Sequence, residues 1–479
     1  MNMNRLLFSG ALWSWVTKFG NQGISFLVFL IVARLIGPEQ YGLASLCFVI
    51  FALGSIMLNG LGDGIIALQE KSDTALSSLL WFILGVALLM SALCLVLAEP
   101  LAQWLALPDL AGLLLWFAPV FLLFGVGVVP NKLIYANMDF RLFAIRGLIG
   151  SLCSAVVGVF MAYQGLGAYA MVGQQLALYL VMSLIAWLVI DWRPKWTWSA
   201  RAVRRLLPPG FKAMSTESLE FADQQFPRFL IGTYLGPTGL GYFSFASRIK
   251  FAIQDIIINP PLIVVYPAIA KMKGEPSRQA LMASQFLLAI GSVVFPFVTL
   301  AVLLAPLYVP CLFGDKWIGA TTLLQLFIVM CALTPFSVMV RELFRANNRL
   351  GVFINSQIAV LPISLLLYFV LLPYGLTVLA LGLLSLMAIV VPVQFFILKR
   401  YLGIELLGSL INVSKPLILS LVMGVIVFYT ETTLVDDYSA LLRLGFLTGL
   451  GVLSYAVMYF ICFRKDVAAL VQLIRLRNA

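Results

Sequence analysis

Histidine is absent from this 479-residue chain, and charged residues of every kind make up only 11% of it. Soluble domains carry about a quarter charged residues. With 62% hydrophobic residues and a mean hydropathy of +1.03, a water-soluble fold is excluded. Cysteine is scarce too: Cys47, Cys94, Cys153, Cys311, Cys331 and Cys462 all fall within or at the ends of apolar stretches, without CxxC spacing. Neither a zinc site nor a disulfide framework is expected, and these thiols read as packing residues. A nucleotide-binding loop is missing as well. Gly37-x4-Gly42 is followed by Leu43-Ala44 and lacks the Lys-Ser/Thr pair of a phosphate loop. No polar stretch is long enough for a soluble catalytic domain, so an enzyme is not expected, nor a cofactor or metal.

What the chain has in abundance is hydrophobic stretches of roughly 20 residues, the length a helix needs to cross about 30 Å of hydrocarbon. They predict an all-α integral membrane protein of about fourteen helices. The expected spans are 12–36, 41–62, 76–98, 112–135, 143–163, 168–190 and 211–235, then 239–268, 281–306, 320–340, 352–372, 376–398, 411–429 and 441–462. The first is flanked by Arg5 but interrupted by Lys18 and runs straight into more membrane. It does not read as a cleaved signal peptide.

The net charge of +11 is a topology signal and not a nucleic-acid one, because the bases are sorted by side. One side holds Lys132, Arg141, Arg146, Arg193, Lys195, Arg201, Arg204, Arg205 and Lys212, and further along Lys271, Lys273, Arg278, Arg341, Arg345, Arg349, Lys399, Arg400 and the basic tail. The other side holds little beyond Lys316 and Arg443. By the positive-inside rule the first side is cytoplasmic, as are both termini. Asp63, at the end of the second span, reads as a solvated interfacial charge.

The chain also repeats itself. At an offset of 199, Ala33-Arg-Leu-Ile-Gly-Pro-Glu-Gln-Tyr-Gly-Leu-Ala-Ser45 lies over Gly232-Thr-Tyr-Leu-Gly-Pro-Thr-Gly-Leu-Gly-Tyr-Phe-Ser244. At an offset of 210, Ala136-Asn137 and Gly165-Leu166 match Ala346-Asn347 and Gly375-Leu376. A tight turn accounts for any one Gly-Pro, but not for the shared register. The expectation is an N-terminal six-helix half at 1–190, a basic cytoplasmic linker at 191–212, a second six-helix half at 213–400, and an appended helix pair with a basic tail at 401–479. Halves with an even helix count lie parallel in the membrane.

Ionisable groups inside a bilayer cost a few kcal/mol each and usually face a cavity or a partner. Here they concentrate in three spans. The first holds Lys18 and, near its end, Arg34; the seventh holds Glu217, Glu220, Asp223 and Arg228; the eighth holds Arg248, Lys250 and Asp255. Glu217, Glu220, Gln224 and Arg228 form one helical stripe, lying at the repeat offset over Lys18, Asn21, Ser25 and Phe29. Arg248, Ala252, Asp255 and Asn259 form another. Two readings are open. Lys18, Arg34, Arg228, Arg248 and Lys250 can line a cationic, substrate-binding cavity, with Asn21, Glu217, Glu220, Asp223, Gln224, Asp255 and Asn259 supplying polar contacts and coupling to H+ or Na+. Alternatively, the charges neutralise one another in a static network, and Arg34 snorkels to the interface. Pro227 and Asn259-Pro260-Pro261 mark hinge points on the charged spans.

Several stretches carry a family resemblance: Ala33 to Leu43, Gly60-Leu-Gly-Asp-Gly-Ile-Ile, Leu76-Ser-Ser-Leu-Leu-Trp-Phe82, Lys132-Leu-Ile-Tyr-Ala-Asn-Met-Asp-Phe-Arg141 and Gly165-Leu-Gly-Ala-Tyr-Ala-Met-Val-Gly-Gln-Gln-Leu176. Together and in order they resemble Wzx-like polysaccharide flippases, of one superfamily with MATE drug exporters and lipid II flippases. The resemblance implies a MATE-like fold in the bacterial cytoplasmic membrane. It implies, too, that an undecaprenyl-pyrophosphate-linked oligosaccharide is turned over between leaflets by alternating access, for capsule, exopolysaccharide or O-antigen. The implied partners are that glycan and membrane lipids, with polymerase and chain-length-control proteins. An ion-coupled exporter of cationic drugs is the first alternative, but it should lack the five intramembrane bases. A membrane polymerase or ligase of lipid-linked glycans is the second, and it should have a larger outer loop than 99–111, 307–319 or 430–440.

Overall fold

A helix satisfies its own backbone hydrogen bonds, which an apolar solvent cannot do. The sequence accordingly folds as helix almost throughout. The computed structural model describes residues 3–434 and 439–462, with side chains described from Gly20 onward except at 140, 212–213, 215–220, 222–224, 263–264, 407, 409–410 and 434. The chain divides into two compact units, residues 1–244 and 245–479.

The first unit runs α1 (Met3–Ile36), α2 (Pro38–Leu61), α3 (Asp63–Ala67), α4 (Asp73–Trp104), α5 (Pro108–Phe117), α6 (Pro119–Ala136), α7 (Phe140–Tyr163), α8 (Tyr169–Val189), α9 (Ala200–Gln224) and the start of α10 (Phe226–Ile253). The second holds the rest of α10, α11 (Asn259–Lys271), α12 (Pro276–Leu303), α13 (Ala305–Phe313), α14 (Thr321–Ala346), α15 (Leu350–Leu371), α16 (Leu376–Leu402), α17 (Leu407–Leu434) and α18 (Ala440–Cys462).

Among the described residues, twelve helices are long and apolar enough to cross a membrane. The expected fourteen is not reached by that measure. The described apolar part of α1 is only Gly20–Ile36, and Phe226–Lys271 forms one run of 46 residues. That run is nonetheless broken at Gly236, whose backbone (φ 68°, ψ −173°) leaves the helical region. Gly37 takes the same conformation (φ 79°, ψ 172°) ahead of Pro38 at the start of α2. A positive φ suits glycine, and proline suits the first helical turn. The Gly-Pro repeat is therefore a repeat of backbone geometry as well as of letters.

The two Gly-Pro turns lie against each other within the first unit. A Cβ on Gly42 would come 1.8 Å from the Pro237 carbonyl oxygen, and one on Gly241 would come 1.9 Å from that of Pro38. Only glycine allows such a backbone approach. At the far end of α2 the approach is one-sided: a Cβ on Gly210 would come 2.3 Å from the Gly60 carbonyl oxygen, and one on Gly64 would sit 2.1 Å from the Leu206 oxygen.

Residues 191–212, expected as a linker, are a fixed part of the first unit. Residues 200–212 already belong to α9, which packs on α2, α3 and α4. Residues 191–199 form a strap tied to α4. Lys195 N donates to Ser77 Oγ (3.0 Å) and Ser199 N to Ser78 Oγ (2.8 Å). Trp81 Nε1 donates to the Lys195 carbonyl (3.1 Å), and Trp81 stacks on Trp196 at 4.4 Å. Such a segment cannot leave its backbone polar groups unsatisfied, and the serines of α4 supply partners. The loops expected at 99–111, 307–319 and 430–440 shrink too, because α4, α5, α13 and α17 extend into them. In the second unit α12 packs on α14 and α17. Leu300 and Leu304 share a core with Met423, Val427 and Leu447, so α17 and α18 are packed elements.

Candidate functional site

The charged residues of the eighth span surround an irregularity in the helix. Pro260 and Pro261 have no N–H to give the carbonyls of Ile256 and Ile257 one turn earlier. The chain responds with a π-helical turn at Gln254–Ile258, in which the N–H of Asn259 reaches the Gln254 carbonyl five residues back. Single π turns often mark functional segments. The wider turn shifts the register of the expected 248–252–255–259 stripe. Asp255 and Asn259 still meet, the Asn259 amide donating to Asp255 Oδ1 at 3.0 Å. Gln254 Nε2 donates to Thr334 Oγ1 on α14 (3.2 Å), and Thr334 in turn donates to the Met330 carbonyl (3.1 Å). Lys250 Nζ lies 5.6 Å from the rings of both Phe251 and Phe327, within cation–π range. Arg248 is half-buried two residues earlier on the same helix. Arg248 and Lys250, two residues apart on the helix, point to different faces. Each is a cation within an apolar run, and a guanidinium, an ammonium and the carboxylate–amide pair are the group types that suit an anionic, hydrogen-bonding ligand.

In the first unit the expected residues are spread over several contacts. Asn21 Oδ1 accepts from Ser151 Oγ (3.1 Å), which ties this residue into the packing of α1 on α7. Arg34 is exposed near the end of α1. Arg228 Nη1 donates to Gln225 Oε1 (2.9 Å) at the break between α9 and α10. The side chains of Lys18, Glu217, Glu220, Asp223 and Gln224 lie outside the described residues. No group of three or more His, Cys, Asp or Glu able to hold a metal occurs among the described residues.

Three charged features were not legible in advance. Asp63, expected to be solvated, pairs with Lys132 across the first unit at 2.5 Å. Glu342 is 3% exposed and pairs with Arg341 (3.0 Å) and Arg345 (3.5 Å). Its spacing to those arginines on α14 was the available signal. Arg146, counted as a cytoplasmic base, is 1% exposed within α7. Nothing in its local sequence distinguished it from the other bases on that side.

Residues 31–322 match the family model described as polysaccharide biosynthesis protein. The chain belongs to this family. The chain is 26% identical to the succinoglycan biosynthesis transport protein ExoT of Rhizobium meliloti, over 97% of this chain and 95% of that one. It is 23% identical to the lipopolysaccharide biosynthesis protein WzxC of Escherichia coli, over 74% and 72%. Among solved structures, the lipid II flippase MurJ in an inward closed conformation superposes with a TM-score of 0.74 at 15% identity, covering 96% of this chain and all of that one. These similarities bear out the Wzx-like resemblance and the multi-span helical fold. The family and the transport protein it resembles also bear out the expectation that the chain is not an enzyme.

Proposed function

We propose that this chain translocates an undecaprenyl-pyrophosphate-linked oligosaccharide across the bacterial cytoplasmic membrane by alternating access, for export of a surface polysaccharide. The observation that carries the reading is the pair Arg248 and Lys250 on a membrane-spanning run of a polysaccharide-family transporter. A lipid-linked glycan presents a pyrophosphate that such cations complement, while its isoprenoid tail stays in the bilayer. The names of ExoT, WzxC and MurJ, all tied to polysaccharide or lipid II handling, support the same substrate class. Asp255 with Asn259 is the proposed point of coupling to H+ or Na+, Lys18, Arg34 and Arg228 are proposed as further cationic contacts, and Glu217, Glu220, Asp223, Gln224 and Asn21 as polar contacts to the glycan. The sorting of bases to one side supports cytoplasmic termini. The repeat in sequence and in Gly-Pro geometry supports two related six-helix halves.

The test is complementation of a flippase-deficient, glycan-producing strain, scoring surface polymer and accumulated lipid-linked repeat units. Wild type is expected to restore polymer. Arg248→Ala at equal expression should lose about 1.5–3 kcal/mol of charge-assisted contact, a roughly 10- to 100-fold fall in flux. A wild type that restores polymer in none of several glycan backgrounds but confers resistance to cationic drugs would replace this reading with a drug exporter.

A further inference from the structure

Arg146 is the most unusual charge in the described structure. It stands on α7, five residues into the span that begins at Arg141, hence about 8 Å along the helix axis. It is 1% exposed, and its Nε and Nη1 are buried without a hydrogen-bond partner. The neighbour that faces the guanidinium is the Phe143 ring, whose centroid lies 5.0 Å from Cζ. Asp139 begins the same helix, but its carboxylate is committed to the cap, accepting from Leu142 N at 3.0 Å. A desolvated guanidinium with no acceptor is among the least favourable arrangements in a fold, and an arginine at this depth has a stem long enough to reach the headgroup region.

The described surroundings supply further donors, and the carboxylate of Asp191, between Ile190 and Trp192, is exposed. Phe143 packs on the apolar cluster Ile134, Ala186 and Ile190, which Trp187 and Trp192 also border. The indole Nε1 of Trp192 is a second buried donor without a partner. Arg193 folds back over the same chain end, its Nη1 donating to the carbonyls of Ile190 and Trp192. Arg146, through Phe143, and Trp192 thus border the same apolar cluster at the basic ends of α6, α7 and α8, with Arg193 folded over the carbonyls beside Trp192. Aromatic rings of the kind that sit at headgroup level rim it.

We propose that this cluster binds the phosphate of an anionic phospholipid from the leaflet on the basic side, with Arg146 as the principal contact and Trp192 as the second. Basic pockets between spans on this side suit acidic headgroups, and a phosphodiester carries the acceptors that the two buried donors require. The apolar and aromatic rim fits acyl chains, which selects a lipid over a soluble phosphate. The site does not depend on what the transporter carries.

The experiment measures lipid binding by native mass spectrometry and thermal unfolding of the full chain in detergent, with phosphatidylglycerol or phosphatidylcholine added. Phosphatidylglycerol should bind wild type at least tenfold more tightly than Arg146→Met and raise the unfolding midpoint of wild type alone, while phosphatidylcholine does neither. Arg146→Lys should keep part of the binding, and Trp192→Phe, which retains the ring and loses the N–H, should weaken it about threefold. Without added lipid, Arg146→Met should unfold no earlier than wild type, because it removes a buried charge that has no partner. Equal phosphatidylglycerol binding by Arg146→Met, or its earlier unfolding in lipid-free detergent, would overturn the proposal in favour of a purely structural arginine. Displacement of the lipid by soluble pyrophosphate at equal concentration would overturn the lipid as the source of the phosphate.

Discussion

The two ends of α2 meet the same neighbouring stretch, α9 and the start of α10, by different physics. At the Gly-Pro end the contact is reciprocal, with Gly42 against the Pro237 carbonyl and Gly241 against that of Pro38. It consists of backbone pressed on backbone. At the basic end, Gly60 faces Gly210 and Gly64 faces Leu206, but polar fastenings surround the contact. Glu70 pairs with Arg205, Asp73 with Lys195 and Asp63 with Lys132, and the strap with its stacked Trp81 and Trp196 lies beside them. The first contact depends on the absence of side chains and tolerates almost no substitution. The second spreads its stabilisation over many groups, several of them exposed to water and salt.

That contrast can be broken most sharply at its tightest point. Gly42→Ala or Gly241→Ala places a methyl group inside a carbonyl oxygen's radius, so the turns must separate. Destabilisation of about 1–3 kcal/mol is expected, read as a lower thermal midpoint of the purified protein together with loss of surface polymer in the complementation strain. Unchanged stability in both variants would mean that the turns do not touch.

A smaller effect is expected at the strap. Trp81→Ala removes the stacked ring and the bond to the Lys195 carbonyl, together about 1–2 kcal/mol. Limited proteolysis should then cut within 191–199 faster than in wild type. Equal cleavage rates would show that the serine bonds suffice to hold the strap.

Smallest of all is the ion pair at the rim. Arg205 is 61% exposed, so Glu70→Gln should cost no more than about 1 kcal/mol. The deficit should shrink as salt is raised, whereas salt should leave the Gly42→Ala deficit unchanged. A salt-dependent deficit in Gly42→Ala would erase the distinction between the two ends.

The candidate site was only partly legible. Charged residues within apolar spans stand out in any sequence, so Arg248, Lys250, Asp255 and Asn259 were found without coordinates. The π turn was not, because Pro260-Pro261 announces a lost hydrogen bond without saying whether the helix kinks or widens. Asn21 was placed in a stripe with charged residues by helical spacing, yet its oxygen turns to Ser151 on α7. Spacing assigns a face of a helix but not the neighbour that covers it.

What the sequence determined by itself follows from the solvent. A chain with 11% charged residues and apolar runs of bilayer length has no option but a multi-span helical bundle, and glycine followed by proline at matched positions dictates two equivalent turns through local sterics alone. What only the tertiary structure decided concerns partners distant in the chain. Whether Asp63 is solvated or paired with Lys132, whether 191–212 is a tether or a packed strap, and whether Arg146 reaches water or is buried all depend on which surfaces meet across many residues. A charge or a glycine looks the same in sequence whichever of those outcomes awaits it.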